Sequence, residues 1–309
     1  MLWWHAGLPL RGGRPAATQR YLPHTRPSSS AAGAASVVHR GLLTTWLARH
    51  PQPDLAIKAQ AVVLLDVGTR QVLWERDPIG RRAPASLTKL ITAMVVADQA
   101  SFDREVGVMG ATDMAAIQQA VPDATVMGLT AGEILTVREL LYGLFLRSGN
   151  DAAETLATIP GRATFIDEMN QKVAELGMTG SHFSSPVGLD APDMYTTARD
   201  LAIAAATIVA SYPALLAISG TPLVDLPQTP VHKAYPMVNY NRLVISGQPW
   251  FYPGATGMKT AFTDDAGPSM VATANRDGRR MVAVILHSDN FFADAHVLLD
   301  YGYSLPGAA

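Results

Sequence analysis

Strand-forming hydrophobic runs stand towards both ends of the chain, and helically spaced ones fill its middle. Ala61-Val62-Val63-Leu64-Leu65-Asp66 and Gln71-Val72-Leu73-Trp74-Glu75 flank a turn containing Gly68, which predicts a β-hairpin. Leu87, Leu90, Ile91, Met94 and Val95 then recur at helical spacing and predict an amphipathic helix whose first turn carries Ser86 and Lys89. Thr136 with Glu139 forms a capping box ahead of Leu140, Leu141, Leu144 and Phe145. Phe165, Met169, Val173 and Leu176 mark a further helix, with Gly177 where a C-terminal cap belongs, and Thr197 with Asp200 opens another. Strands return at 257–263, 269–275 and 280–287, the last two joined by a tight turn at Asn275-Arg276-Asp277-Gly278, before a closing helix over 292–301. The order strands, helices, strands, helix implies an α/β (α+β) architecture. In it, strands from both ends meet in one mostly antiparallel sheet flanked by helices, with the middle helices as a lobe beside it. A cleft between sheet and lobe is the expected place for a site.

Composition narrows the function classes. The chain has 309 residues, 48% hydrophobic and 16% charged, ordinary values for a compact globular protein. Its net charge of −2 gives no reason to expect a nucleic-acid partner. It contains 0 cysteines, which removes thiol catalysis, disulfides and thiolate metal sites together. Residues 1–53 lack Asp and Glu and carry Arg11, Arg14, Arg20, Arg26, Arg40 and Arg49 among Ser, Ala, Gly and Pro. They read as a basic, low-complexity segment outside the core: an export signal, a disordered arm or an over-extended gene start. The apolar stretches at 31–38 and 41–48 are short for a secretory signal. Folded character is expected over 54–303, with 304–309 as a tail. No apolar run reaches the ~20 residues of a membrane span.

Three short stretches carry chemistry. Ser86 and Lys89, three apart on a helix, share a face, and a lysine kept neutral by burial can take a serine's proton. The alternative is an ordinary helix start capped by Ser86 after Pro84. Arg147-Ser148-Gly149-Asn150-Asp151 lies between two helices and reads either as a turn or as a second hydroxyl with an amide partner. Lys259 and Thr260, on a predicted strand, can bind a carboxylate by charge and hydroxyl, or can simply protect an exposed edge. The nearby glycines miss the spacing of a phosphate loop. The histidines, 8 in all, show no ligand spacing, and no Gly-x-Ser-x-Gly elbow is present.

Taken in order, Ser-x-x-Lys, Ser-x-Asn and Lys-Thr match the motif set of penicillin-binding proteins and class A β-lactamases. With Leu129-Thr130-Ala131-Gly132-Glu133, Gly188-Leu189-Asp190, Thr197-Ala198-Arg199-Asp200 and Asn239-Tyr240-Asn241, the chain resembles the serine-type D-alanyl-D-alanine carboxypeptidases, low-molecular-mass penicillin-binding proteins. The resemblance implies a β-lactamase/transpeptidase-like fold. The implied activity is removal of the terminal D-alanine from peptidoglycan stem peptides through an acyl-enzyme, in the cell envelope. Cofactors and metals have no part in it, and β-lactams are the implied inhibitors. It makes Ser86 the nucleophile, Lys89 its general base and Ser148 a proton relay. Asn150, Lys259 and Thr260 become substrate-binding residues, and the backbone N–H groups of Ser86 and Phe262 the oxyanion hole.

The departures from the family pattern are local. Ala261 ends the third motif where glycine is usual, and a methyl group there is expected to alter rate or specificity. Val187 stands where relatives often carry His, and Pro268 follows Gly267 where another residue is usual. Asp200 reads first as a helix cap with Thr197. A chain closing at Ala309 is not expected to attach to a membrane through its C-terminus. Two other readings stay open: a β-lactamase, for which Glu168 is the one suggestive water-activating acid, and a non-catalytic module that binds peptidoglycan peptides.

Overall fold

The computed structural model describes residues 43–110 and 124–306, so the arm before 43 and the last three residues of the tail lie outside the described residues. Five antiparallel strands build the main sheet: β1 (Ala61–Asp66), β2 (Gln71–Arg76), β7 (Ala255–Ala261), β8 (Ser269–Arg276) and β9 (Arg279–Leu286). Their order across the sheet is β2-β1-β9-β8-β7, so the two ends of the sequence meet where β1 pairs with β9.

Alternation along these strands divides the interior into two cores. Ala61, Val63, Val271, Val282, Val284 and Leu286 join the core shared with the helical lobe. Val62, Leu64, Met270, Ala272, Met281, Ala283 and Ile285 join a second core on the opposite face. Side chains alternate sides along a strand, so a sheet covered on both faces needs near-continuous apolar runs, which is what β1 and β9 carry. The second core is closed by the C-terminal helix Phe291–Ser304, through Ala295, Leu298 and Leu299, and by Leu43 of a helix over 43–49. Leu43 is fully buried, with Trp46 and Leu47 packed behind it, so residues 43–53 do contribute to the core that the sequence reading began at Asp54. A basic, Asp/Glu-free composition hid one apolar helical face.

Among the described residues the helices are, in chain order, α1 (43–49), α2 (Lys89–Gln99), α3 (Val137–Leu146), α4 (Asn150–Ala157), α5 (Arg162–Glu175), α6 (Ala198–Ser211), α7 (Pro213–Ser219) and α8 (Phe291–Ser304). The capping box at Thr136 and Glu139 forms, and Gly177 follows α5 with a positive φ of 72°. The β8–β9 turn is a two-residue loop, Asp277-Gly278, between paired Arg276 and Arg279; both loop residues have φ > 0, at 51° and 83°. Two expectations change. The helix after Ser86 is not amphipathic: Lys89 through Val96 are all buried, because α2 runs through the middle of the lobe. Thr197 does cap the N–H of Asp200 at 3.0 Å, but the Asp200 carboxylate turns away to hold the Gly180 N–H and the Ser181 hydroxyl, each at 2.8 Å. The strands β3 (Glu105–Gly107), β4 (Ile134–Thr136), β5 (Leu223–Leu226) and β6 (Tyr235–Val238) form two small sheets, each strand too short to show a period in the sequence. No single described helix is long and apolar enough to cross a membrane.

One buried ion pair fastens the edge of the second core. Asp66, 1% exposed, accepts from Arg279 Nε at 2.8 Å, and Arg279 Nη1 also reaches the Leu305 carbonyl at 3.0 Å. Removing one partner strands a buried charge, so Asp66→Ala is expected to lower unfolding free energy by about 3–5 kcal/mol. Urea unfolding measures it; a loss under about 1 kcal/mol would show that water reaches Arg279.

Candidate active site

Where sheet meets lobe, a cleft of about 1250 Å³ opens, lined by Ser86, Ser148, Asn150, Thr260 and Phe262 together with Val187, Gly188 and Tyr240. Three chain segments converge on it, each placed by a different local device.

Ser86 lies in a 3₁₀ turn, Ala85–Thr88, and Lys89 is the first residue of α2. Side chains three apart eclipse in a 3₁₀ turn, which brings Lys89 Nζ to 2.9 Å from Ser86 Oγ. The reading of Ser86 as a helix cap fails, because Pro84 and Thr88 hold the cap positions and neither makes a side-chain cap bond. Lys89 is 0% exposed. Its Nζ also meets Asn150 Oδ1 at 2.7 Å and the Val187 carbonyl at 3.0 Å. Burial, seconded by the charge of Lys259, holds Lys89 well below the ordinary lysine range, while Asp151 and Glu154 oppose the fall. A neutral amine has two N–H donors and one lone pair. The amide oxygen and the carbonyl can only accept, so they take the two N–H groups and leave the lone pair for the Ser86 hydroxyl proton. That is a serine prepared for attack.

Ser148 and Asn150 come from the junction of α3 and α4. Ser148 has a φ of 57°, in the left-handed region that non-glycine residues enter at a cost of ~1–2 kcal/mol. Thr125 Oγ1 donates to its carbonyl at 2.9 Å. Gly149 must be glycine: a Cβ there would fall 2.9 Å from Asp151 Oδ1 and 3.0 Å from the Met127 nitrogen.

The third segment is the end of β7. Thr260 and Phe262 line the cleft, Phe262 with 64% of its surface exposed. Lys259 is 1% exposed and is not among the lining residues; its Nζ donates to the Thr260 carbonyl at 2.7 Å. Burial lowers its pKa to about 7. Lys259 therefore stands behind the wall, able to act on a carboxylate at Thr260 through its field. Ala261 is nearly buried: it packs against the lobe's apolar core and also lines the cleft between Thr260 and Phe262, so its methyl group borders the site.

The floor of the cleft carries a backbone contact that sequence reasoning did not single out. Lys89 uses the backbone carbonyl of Val187, so a valine there serves as any residue would. Gly188 has a φ of 89°, and a Cβ on it would lie 1.8 Å from the Ala85 carbonyl oxygen. Gly188→Ala is thus expected to push the Ser86 turn aside, lowering stability by about 2–5 kcal/mol and slowing acylation of Ser86. Thermal unfolding and a β-lactam labelling rate check it; an unchanged rate would mean the turn is free to yield. Backbone carbonyls leave no mark in a sequence, although glycine at 188 did.

Glu168, the β-lactamase candidate, projects from α5 and accepts from Gln99; it is not among the cleft-lining residues. Among the described residues, no group of three or more His, Asp or Glu side chains is placed to hold a metal ion.

Comparisons with known proteins agree on one family. The family model described as Peptidase_S11, D-alanyl-D-alanine carboxypeptidase, matches residues 47–290. D-alanyl-D-alanine carboxypeptidase DacF of Bacillus subtilis is 32% identical over 261 residues, covering 81% of this chain and 64% of that protein. DacB2 of Mycobacterium tuberculosis is 32% identical over 256 residues, covering 80% of this chain and 83% of that protein. The chain thus spans less than two thirds of the first relative and most of the second. The crystal structure of the Streptomyces K15 DD-transpeptidase superposes with a TM-score of 0.73 at 29% identity, covering 83% of this chain and 100% of that one.

Proposed function

The chain belongs to the D-alanyl-D-alanine carboxypeptidase family, and on that premise we propose that it removes the terminal D-alanine from peptidoglycan stem peptides through an acyl-enzyme on Ser86. The observation that carries this reading is the buried amine of Lys89, 2.9 Å from Ser86 Oγ, with its two other contacts made to groups that can only accept.

Ser86 Oγ attacks the penultimate carbonyl carbon while its proton passes to Lys89 Nζ. The backbone N–H groups of Ser86 and Phe262 receive the negative charge that grows on the carbonyl oxygen. The C–N bond then breaks, and the departing D-alanine takes a proton relayed by the Ser148 hydroxyl. Thr260 and the charge of Lys259 behind it hold the terminal carboxylate. In the second half, water gives its proton to Lys89 and hydrolyses the ester, restoring Ser86. A β-lactam follows the first half, but its opened ring cannot leave, so the ester persists. Such peptides lie in the cell envelope, and we place the reaction there.

The test is to incubate the full chain with a penicillin and, separately, with a peptide ending in D-alanyl-D-alanine. One stoichiometric mass adduct and release of free D-alanine are expected. Rapid β-lactam hydrolysis without an adduct would make the protein a β-lactamase. No adduct and no turnover in a folded sample would leave a peptide-binding module.

A further inference from the structure

Asp151 follows the Ser-x-Asn stretch and is 1% exposed, yet the reaction above gives it no task. Its carboxylate accepts four backbone N–H groups. Oδ1 takes Met127 and Ala152 at 2.8 and 2.9 Å, and Oδ2 takes Gly128 and Leu129 at 2.8 and 2.9 Å. An ordinary acid in a first helical turn serves the N–H groups of its own helix. Here only Ala152 belongs to α4, and the other three donors belong to a segment more than twenty residues earlier, 127–129. The same segment is zipped further: Asn150 N–H donates to the Thr125 carbonyl at 2.9 Å, and Thr125 Oγ1 donates to the Ser148 carbonyl at 2.9 Å. Thr125 itself lines the cleft. The places of Ser148 and Asn150, and through Asn150 Oδ1 that of Lys89, therefore rest on a clasp centred on Asp151.

Charge gives Asp151 a second hold on the site. Among the described residues, the ionisable groups whose charge acts on the Lys89 amine are Lys259 from β7 and Asp151 and Glu154 from α4. Glu154 is held by Arg162 of α5, at 2.8 Å from Nε and 3.1 Å from Nη2, so its charge is offset where it stands. The hydrogen-bond partners of Asp151 are uncharged N–H groups, which leaves its charge free to act on the buried Lys89 amine.

Resting on the acyl-enzyme reading, we propose that Asp151 is the positioning residue of this site. Its carboxylate clasps residues 127–129 to the 148–151 turn, fixing Ser148 and Asn150 at the cleft and, through Asn150 Oδ1, the Lys89 amine.

Asp151→Asn tests this in the full chain, because an amide keeps the shape, removes the charge and turns two donors against Gly128 and Leu129. Three readouts are compared with the wild type: the rate of penicillin acylation against pH, the NMR titration of the Lys89 ε-carbon, and thermal unfolding. A roughly 10- to 100-fold lower acylation plateau is expected, with its rising limb at lower pH. The Lys89 signal should titrate at lower pH too, and Glu154→Gln should move it less. A folded variant with a plateau within about threefold of wild type and an unmoved limb would overturn the proposal. So would a variant that merely loses folded material while the remainder acylates normally. Should Asp151→Asn not fold, Asp151→Glu keeps the charge and displaces the clasp; a lowered plateau with an unmoved limb supports positioning, and a wild-type plateau overturns it. A wild-type chain that fails to acylate would sink the acyl-enzyme reading, while the Lys89 titration would still judge Asp151.

Discussion

Ser86→Ala is expected to give a folded protein that forms no adduct with penicillin and releases D-alanine at least about 10⁴-fold more slowly than wild type. The size follows from the division of labour in the cleft. Without the hydroxyl no acyl-enzyme can form, and what survives is water attack assisted by the remaining N–H donors and Lys89. The change removes one small polar atom at the cleft surface, so stability should move by about 1 kcal/mol or less. Intact-mass spectrometry reads the adduct, and an amino-acid oxidase assay reads D-alanine. An adduct persisting in Ser86→Ala would place the nucleophile elsewhere, with Ser148, on the same cleft, as the residue to examine next.

Lys89 carries the second large expectation. Lys89→Ala removes the base and should slow acylation by about 10³- to 10⁴-fold. Lys89→Arg should do no better, because a guanidinium stays charged across the working pH range and cannot take the serine's proton. The wild-type profile should show the same logic. Acylation rises with pH as Lys89 loses its proton, and because burial lowers its pKa, the limb lies below the ordinary lysine value of 10.5. At low pH the protonated amine spends all three N–H groups on Ser86, Asn150 and Val187 and has no lone pair to offer. Peptide turnover should also fall on the alkaline side, since Lys259 discharges near pH 7 and a neutral amine no longer attracts the terminal carboxylate. The carboxylate-dependent limb belongs to kcat/KM of the peptide. An acylation rate independent of pH from 5 to 10, or equal in Lys89→Arg, would remove Lys89 from the base's role.

The sequence by itself determined much of this protein. The motif order brought Ser86, Lys89, Ser148, Asn150 and Thr260 into one expectation, and all five line or adjoin one cleft. The strand runs and their turn marked the meeting of both chain ends in one sheet, and two-sided burial explains why β1 and β9, where the ends meet, are almost wholly apolar. Such features are local or additive, so a linear reading finds them. Tertiary structure decided the rest. Lys89 is buried because α2 is enclosed by the lobe, although its apolar spacing suggested a helix half in water. Lys259 stands behind the cleft wall, which no spacing on a strand could say. The Val187 carbonyl and the clasp of Asp151 on 127–129 depend on backbone groups, and these are the same in every residue. The desolvation that lowers the pKa of Lys89 is likewise a property of its neighbours in space, set only when the lobe closes on the sheet.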